Sequence, residues 1–180
     1  MYEHDRIVAC WDLDNYDKIF DYLFDVVINK NEYYKWRAKE KFRNILIHEQ
    51  GKDARNERKD DWVLQTVERY NDDNKKMIAL FEVLSELSTN VREKAIAKFV
   101  QYNKDYELFT ALSLEPSHWG GTGSMVPCMQ GRVKFYESLL PYFTGIDLLR
   151  HKKYIQGKIR DWKDMIEKQE IEEIMESLYF

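Results

Sequence analysis

Apolar residues recur at three- and four-residue spacing through almost every segment of this chain, the pattern of helices that bury one face. Ile19, Phe20, Leu23, Phe24 and Val27 show it, as do Met77, Leu80, Phe81, Leu84 and Leu87, and then Val91, Ala95, Ile96, Phe99 and Val100. A half-buried strand would need alternation at every second residue, and no segment sustains it. Only seven Gly and three Pro occur in 180 residues, too few for the turns of a β-rich fold. The pattern therefore predicts an all-α chain.

Polar breaks divide the period into helices. One runs from about Asp14 to Ile28, capped by Asp14 or Asn15. A second starts after Asn31, with Tyr34, Ala38, Phe42, Ile45 and Leu46 on one stripe and Gly51 as a stop. Lys35, Lys39 and Arg43 border that stripe, and Arg37 and Lys41 lie on its other flank. Residues 51–60 hold a single small apolar residue and read as a solvated loop or a polar helical turn. A helix from about Asp61 to Tyr70 turns Trp62, Val63, Val67 and Tyr70 inward, and Asn71-Asp72-Asp73-Asn74 ends it with residues suited to capping the next. Ser88-Thr89-Asn90 makes another break, and Asn103-Lys104-Asp105 opens a short helix holding Leu108, Phe109 and Leu112.

Between Leu114 and Cys128 lies the one extended irregular stretch, with two of the three prolines and three of the seven glycines. Its Trp119, Met125 and Val126 carry enough apolar surface to pack the segment down. Helix resumes near Met129 and closes at Pro141 and Gly145. In the last helix Ile155, Ile159, Trp162 and Ile166 keep a regular stripe, which slips at Ile171 and continues through Ile174, Met175 and Leu178. That slip predicts a kink near Gln169.

The length suits one domain spanning residues 1–180, or a few repeats of a longer array. A chain this long buries roughly 70% of its unfolded surface and needs no disulfide or metal to hold it. Paired amphipathic helices recurring about every 30–45 residues point to helical hairpins in an α-solenoid of HEAT-like type. An irregular helical bundle is the structural alternative.

Charge bounds the partners. The net charge of −4 leaves no general basic footprint for nucleic acid. Residues 1–30 carry seven acids against three bases, and residues 31–60 nine bases against six acids. The second group includes the rim of Lys35, Arg37, Lys39, Lys41 and Arg43, which leaves a nucleic-acid adaptor as a third reading. Cys10 and Cys128 are too few and too far apart for a metal motif. No run reaches the ~18 apolar residues of a membrane span, and the N-terminus lacks the pattern of a signal peptide, so a cytoplasmic protein without membrane attachment is expected.

Several short motifs invite chemistry. Trp119-Gly120-Gly121-Thr122-Gly123-Ser124 could cradle phosphate on backbone amides, but it lacks the Gly-Lys-Ser/Thr ending and a preceding strand. A structural loop that also offers Trp119, Gly120, Gly123 and Ser124 as binding residues is the better reading. Glu115 and His118 have Glu-x-x-His spacing, but Pro116 breaks the helix that would align them as metal ligands. Asp53 with Glu57-Arg58-Lys59 matches a nuclease acid-x-Lys ending only without the strands such sites use. No metal or cofactor is expected.

Arg43-Asn44-Ile45-Leu46-Ile47-His48 resembles the Arg-polar-x-x-x-His motif of HEPN ribonucleases, an all-α family whose dimers cut RNA without metal. The resemblance implies proton transfer at the ribose hydroxyl by His48, charge stabilisation by Arg43, and Asn44 as the polar residue after the arginine. A helix already under way at Tyr34 separates Arg43 from His48 by about 140° around its axis.

From about Trp62 to Glu173 a broader resemblance runs. It is carried by Leu84-Ser-Glu-Leu87, Val91-Arg-Glu-Lys-Ala-Ile96, Asn103-Lys-Asp-Tyr-Glu-Leu-Phe109 and Leu114-Glu-Pro-Ser117. Trp119, Gly123-Ser124, Val126-Pro127, Arg132, Phe135-Tyr-Glu-Ser-Leu-Leu-Pro141 and His151-Lys152 continue it. These residues are similar to the C-terminal helical region of large bacterial proteins that carry an NTPase module and act in defence against phage. The resemblance implies a sensing, scaffolding or assembly end without catalytic residues of its own. The expected function is therefore a non-enzymatic α-helical interaction module whose partner is a protein or another domain of the same system. An HEPN-like ribonuclease using Arg43, Asn44 and His48 is the alternative.

Overall fold

A computed structural model describes residues 53–85, 89–116 and 125–179 of the chain. Among these, six α-helices and two short 3-10 turns occur and no strand. The helices are α1 (Asp53–Tyr70), α2 (Asn74–Leu84), α3 (Thr89–Tyr102), α4 (Tyr106–Ala111), α5 (Val126–Leu139) and α6 (Leu149–Tyr179). The 3-10 turns, Leu140–Tyr142 and Ile146–Leu148, join the last two helices. The all-α expectation holds for this region.

The polar breaks act as caps. Asp73 accepts the Lys76 backbone N–H at 3.1 Å and starts α2, and Asp105 accepts the Leu108 N–H at 3.1 Å and starts α4. Each cap satisfies one of the orphan donors at a helix start. Pro127 sits in the first turn of α5, where its missing N–H costs nothing. That helix opens at Val126, three residues before the expected start.

α1 begins at Asp53, so residues 53–60 are helical. The reading of this stretch as a loop is corrected in favour of its helical option. Ala, Arg, Glu and Lys are strong helix formers, and propensity carries the helix back where no apolar stripe marks it.

Buried faces follow the period. Met77, Leu80, Phe81 and Leu84 of α2 meet Val91, Ala95, Ile96, Phe99 and Val100 of α3 in one core, with Phe81 and Phe99 edge to face at 6.1 Å. α1 packs more extensively on α3 than on α2, and α5 packs most extensively on α6. Polar clasps close the α1–α3 seam. Lys94 pairs with Asp60 at 2.9 Å, and Glu68 takes Lys98 at 3.1 Å and the Tyr102 hydroxyl at 2.9 Å. Phe109 of α4 meets Phe143 and His151 edge to face while Phe143 stacks on His151, and together they pin the start of α6.

α6 runs unbroken for 31 residues, about 46 Å at 1.5 Å per residue. The slip of the stripe near Gln169 falls inside this one helix. His151, Ile155, Ile159 and Trp162 are its buried side chains, and none is buried beyond Trp162.

Candidate functional site

Among the described residues, a dense convergence of polar groups lies where the 112–116 loop meets α5 and α6. Leu112 and Leu114 are buried and hold the loop down, which presents the Glu115 carboxylate to the two helices. Arg132 and Tyr136 sit one turn apart on α5, and Lys158 and Trp162 one turn apart on α6, so each pair shares a face. All four point at Glu115. Arg132 Nη1 donates to Glu115 Oε2 at 2.5 Å, and its Nη2 donates to the Pro116 carbonyl at 3.0 Å. The Tyr136 hydroxyl and Trp162 Nε1 donate to Glu115 Oε1 at 2.7 and 3.2 Å, with Lys158 Nζ 3.9 Å away. The Arg132 guanidinium also stacks 4.6 Å from the Trp162 ring centre.

This carboxylate is engaged rather than poised. Both of its oxygens accept hydrogen bonds, Oε2 from Arg132 and Oε1 from Tyr136 and Trp162. Burial, and after it the negative charge of Glu115, pushes the Tyr136 hydroxyl far above its ordinary range and keeps it a neutral donor. A cleft of about 410 Å³ opens beside the cluster, lined by Ser85, Ser113, Tyr154 and Lys158 among others. The chemistry of the cluster is that of a clamp joining one loop to two helices.

A second polar group stands apart. His151 is buried, at 1% exposure, among Tyr106, Phe109 and Phe143. Neither ring nitrogen makes a well-formed hydrogen bond, although the Asp105 backbone lies near enough to favour the charged form. Desolvation outweighs that help and holds the imidazole below its ordinary pKa.

The third feature is apolar surface. Ile171, Ile174, Met175, Leu178 and Tyr179 are 54%, 60%, 47%, 73% and 80% exposed. Ile174, Met175 and Leu178 follow Ile171 at helical spacing and form one stripe over the last turns of α6. The step from Ile166 to Ile171 is five residues, which rotates the apolar face by about 140° around the helix. The terminal stripe therefore points away from the side that carries Ile155, Ile159 and Trp162 into the core.

Trp119, Gly120, Gly123 and Ser124 lie outside the described residues, as do Lys35, Arg37, Lys39 and Lys41. Arg43, Asn44 and His48 of the ribonuclease motif and His118 of the Glu-x-x-His pair lie outside them too. Met125, expected to help anchor the irregular segment, is 43% exposed, whereas Val126 is buried. From sequence Glu115 stands out as half of a metal pair and within the Leu114–Ser117 run of the broader resemblance, and its three donors and the nearby Lys158 are at sequence distances no local motif reaches. Among the described residues no group of three or more His, Cys, Asp or Glu is arranged to hold a metal ion. Nor is any described helix long and apolar enough to cross a membrane. No family model, curated protein or solved structure matches the chain.

Proposed function

We propose that this chain is a non-enzymatic helical interaction module that docks a protein partner on the terminal part of α6. The observation that carries the reading is the exposed stripe of Ile171, Ile174, Met175 and Leu178 on a helix whose preceding turns are packed. An aliphatic side chain left in water forfeits roughly 1.5–3 kcal/mol of burial, and a contiguous row of them marks a contact surface. The Glu115 clamp supports the same reading, because it makes the α5–α6 pair a firm base for a projecting helix. The partner is a subunit or domain of a larger NTPase-linked assembly, as the resemblance over residues 62–173 implies.

A photo-crosslinking residue placed at position 178, in the cells that make the protein, tests this. A discrete protein adduct is expected from position 178 and none from position 156, which is exposed on the packed part of α6. Adducts at neither position would defeat the reading.

A further inference from the structure

We infer that the partner's docking surface is a basic amphipathic helix, one whose apolar stripe is flanked by Lys and Arg. The inference rests on the module reading above and adds the chemistry of what is bound. It starts from the charges that frame the stripe. Residues 167–179 carry five glutamates against the single base Lys168. At 100° per residue, Glu170 lies on one flank of the Ile171–Leu178 stripe, and Glu172 and Glu176 lie on the other. Glu167 falls one turn before Ile171 and closes the stripe at its N-terminal end. Glu167, Glu170, Glu172 and Glu176 are all exposed, so they meet whatever covers the stripe.

Charges beside a helix seam choose the partner and its orientation. A second copy of this segment, parallel or antiparallel, would set glutamate rows against glutamate rows. Like charges at such distances destabilise a pairing, and no base after Lys168 is present to offset them. An acidic lipid surface is disfavoured by the same repulsion. A helix with Lys and Arg at its flanking positions instead pairs on both sides while its apolar face covers Ile171, Ile174, Met175 and Leu178. The exposed carboxylates add modestly to affinity and strongly to the choice between partners.

The test uses the full chain and two designed amphipathic helices of about 18 residues, long enough to hold helical form. They share one Leu-rich face, and one has Lys flanks while the other has Glu flanks. The Lys-flanked peptide is expected to bind at least about tenfold more tightly. Glu170→Lys, Glu172→Lys and Glu176→Lys together should reverse the preference, and Leu178→Glu should weaken both peptides. In about 1 M salt, where the Debye length is about 3 Å, the preference should collapse. Circular dichroism of each variant checks that α6 remains helical.

Equal binding of the two peptides, or binding of neither, overturns the basic partner. A concentration-dependent dimer lost in Leu178→Glu overturns it as well, in favour of a second copy. An adduct at position 178 combined with any of these results leaves the module reading standing. Absence of both the adduct and peptide binding removes the two together.

Discussion

The two parts of α6 share one backbone and one composition style, yet obey different physics. From Leu149 to Ile166 the helix places His151, Ile155, Ile159 and Trp162 against α5 and the aromatic cluster of α4. From Glu167 to Tyr179 the same kinds of aliphatic residue stand in water. The difference lies in direction and not in hydrophobicity, because a five-residue step turns the second stripe off the core side. A helix can thus be half scaffold and half contact surface, with the boundary set by phase. The largest expected effects lie in the first half and the smallest in the second.

Ile155 is wholly buried, and Ile155→Ala should leave a void between α5 and α6 that the neighbours only partly fill. A loss of about 3–4 kcal/mol is expected from deletions of this kind, read as a lowered denaturation midpoint with an unchanged slope. A loss under about 1 kcal/mol would mean that the α5–α6 seam is loosely packed and that the two halves of α6 differ less than their burial implies.

The Glu115 clamp comes next. Glu115→Ala deprives Arg132, Tyr136 and Trp162 of a shared acceptor, and Arg132 is buried. Removing a shared acceptor from part-buried donors is expensive, but the carboxylate borders an open cleft through which water can replace it. The expected cost is about 2 kcal/mol in chemical denaturation, with Glu115→Gln intermediate because an amide oxygen still accepts. Equal stability of Glu115→Ala and the native chain would show that the loop is not held by this cluster.

His151 separates the halves by pH. Its folded-state pKa lies below the ordinary 6.5, chiefly through desolvation. Lys104 and Arg150 also oppose the charged form, and Asp147 and the Asp105 backbone favour it. The unfolded chain therefore binds the extra proton first as pH falls. Stability from this group is full above the unfolded value and is lost as pH drops from about 6.5 towards the folded value. The slope can reach about 1.4 kcal/mol per pH unit. His151→Leu should flatten that part of the profile, whatever its effect at neutral pH. An unchanged slope in the variant would assign the acid sensitivity to other groups.

Much of this arrangement could be read in the amino acids. Val91, Ala95, Ile96, Phe99 and Val100 announce a buried face by spacing alone, and Asp73 and Asp105 announce caps because short acceptors fit helix starts. The buried polar residues were not visible in that way. Arg92, Arg132 and His151 interrupt or border apolar stripes, and periodicity treats them as exposed, whereas packing buries them. Residues 53–60 escaped for the opposite reason, since a helix held by propensity leaves no apolar row. The Glu115 cluster joins residues up to 47 positions apart, so only the fold brings it together. The Ile166–Ile171 step was legible as a slip in phase. Its consequence, an apolar face turned from the core, needed the helix to be seen running unbroken through it.

The smallest expected effect is the most direct comparison of the two halves. Ile174 occupies the same helix as Ile155, yet it is 60% exposed where Ile155 is 0% exposed. Ile174→Ala removes little burial and leaves no enclosed void. It also replaces a β-branched residue, which loses side-chain freedom on a helix, with the best helix former. The expected change is a gain of a few tenths of a kcal/mol, or nothing measurable within about 0.5 kcal/mol. A loss of 2 kcal/mol or more, as roughly expected for a buried isoleucine, would show that Ile174 is covered within the isolated chain. The terminal stripe would then belong to the protein's own core, and no partner would be needed to explain it. A neutral result at Ile174 beside a large loss at Ile155 would locate the boundary between scaffold and contact surface in the single turn between Ile166 and Ile171.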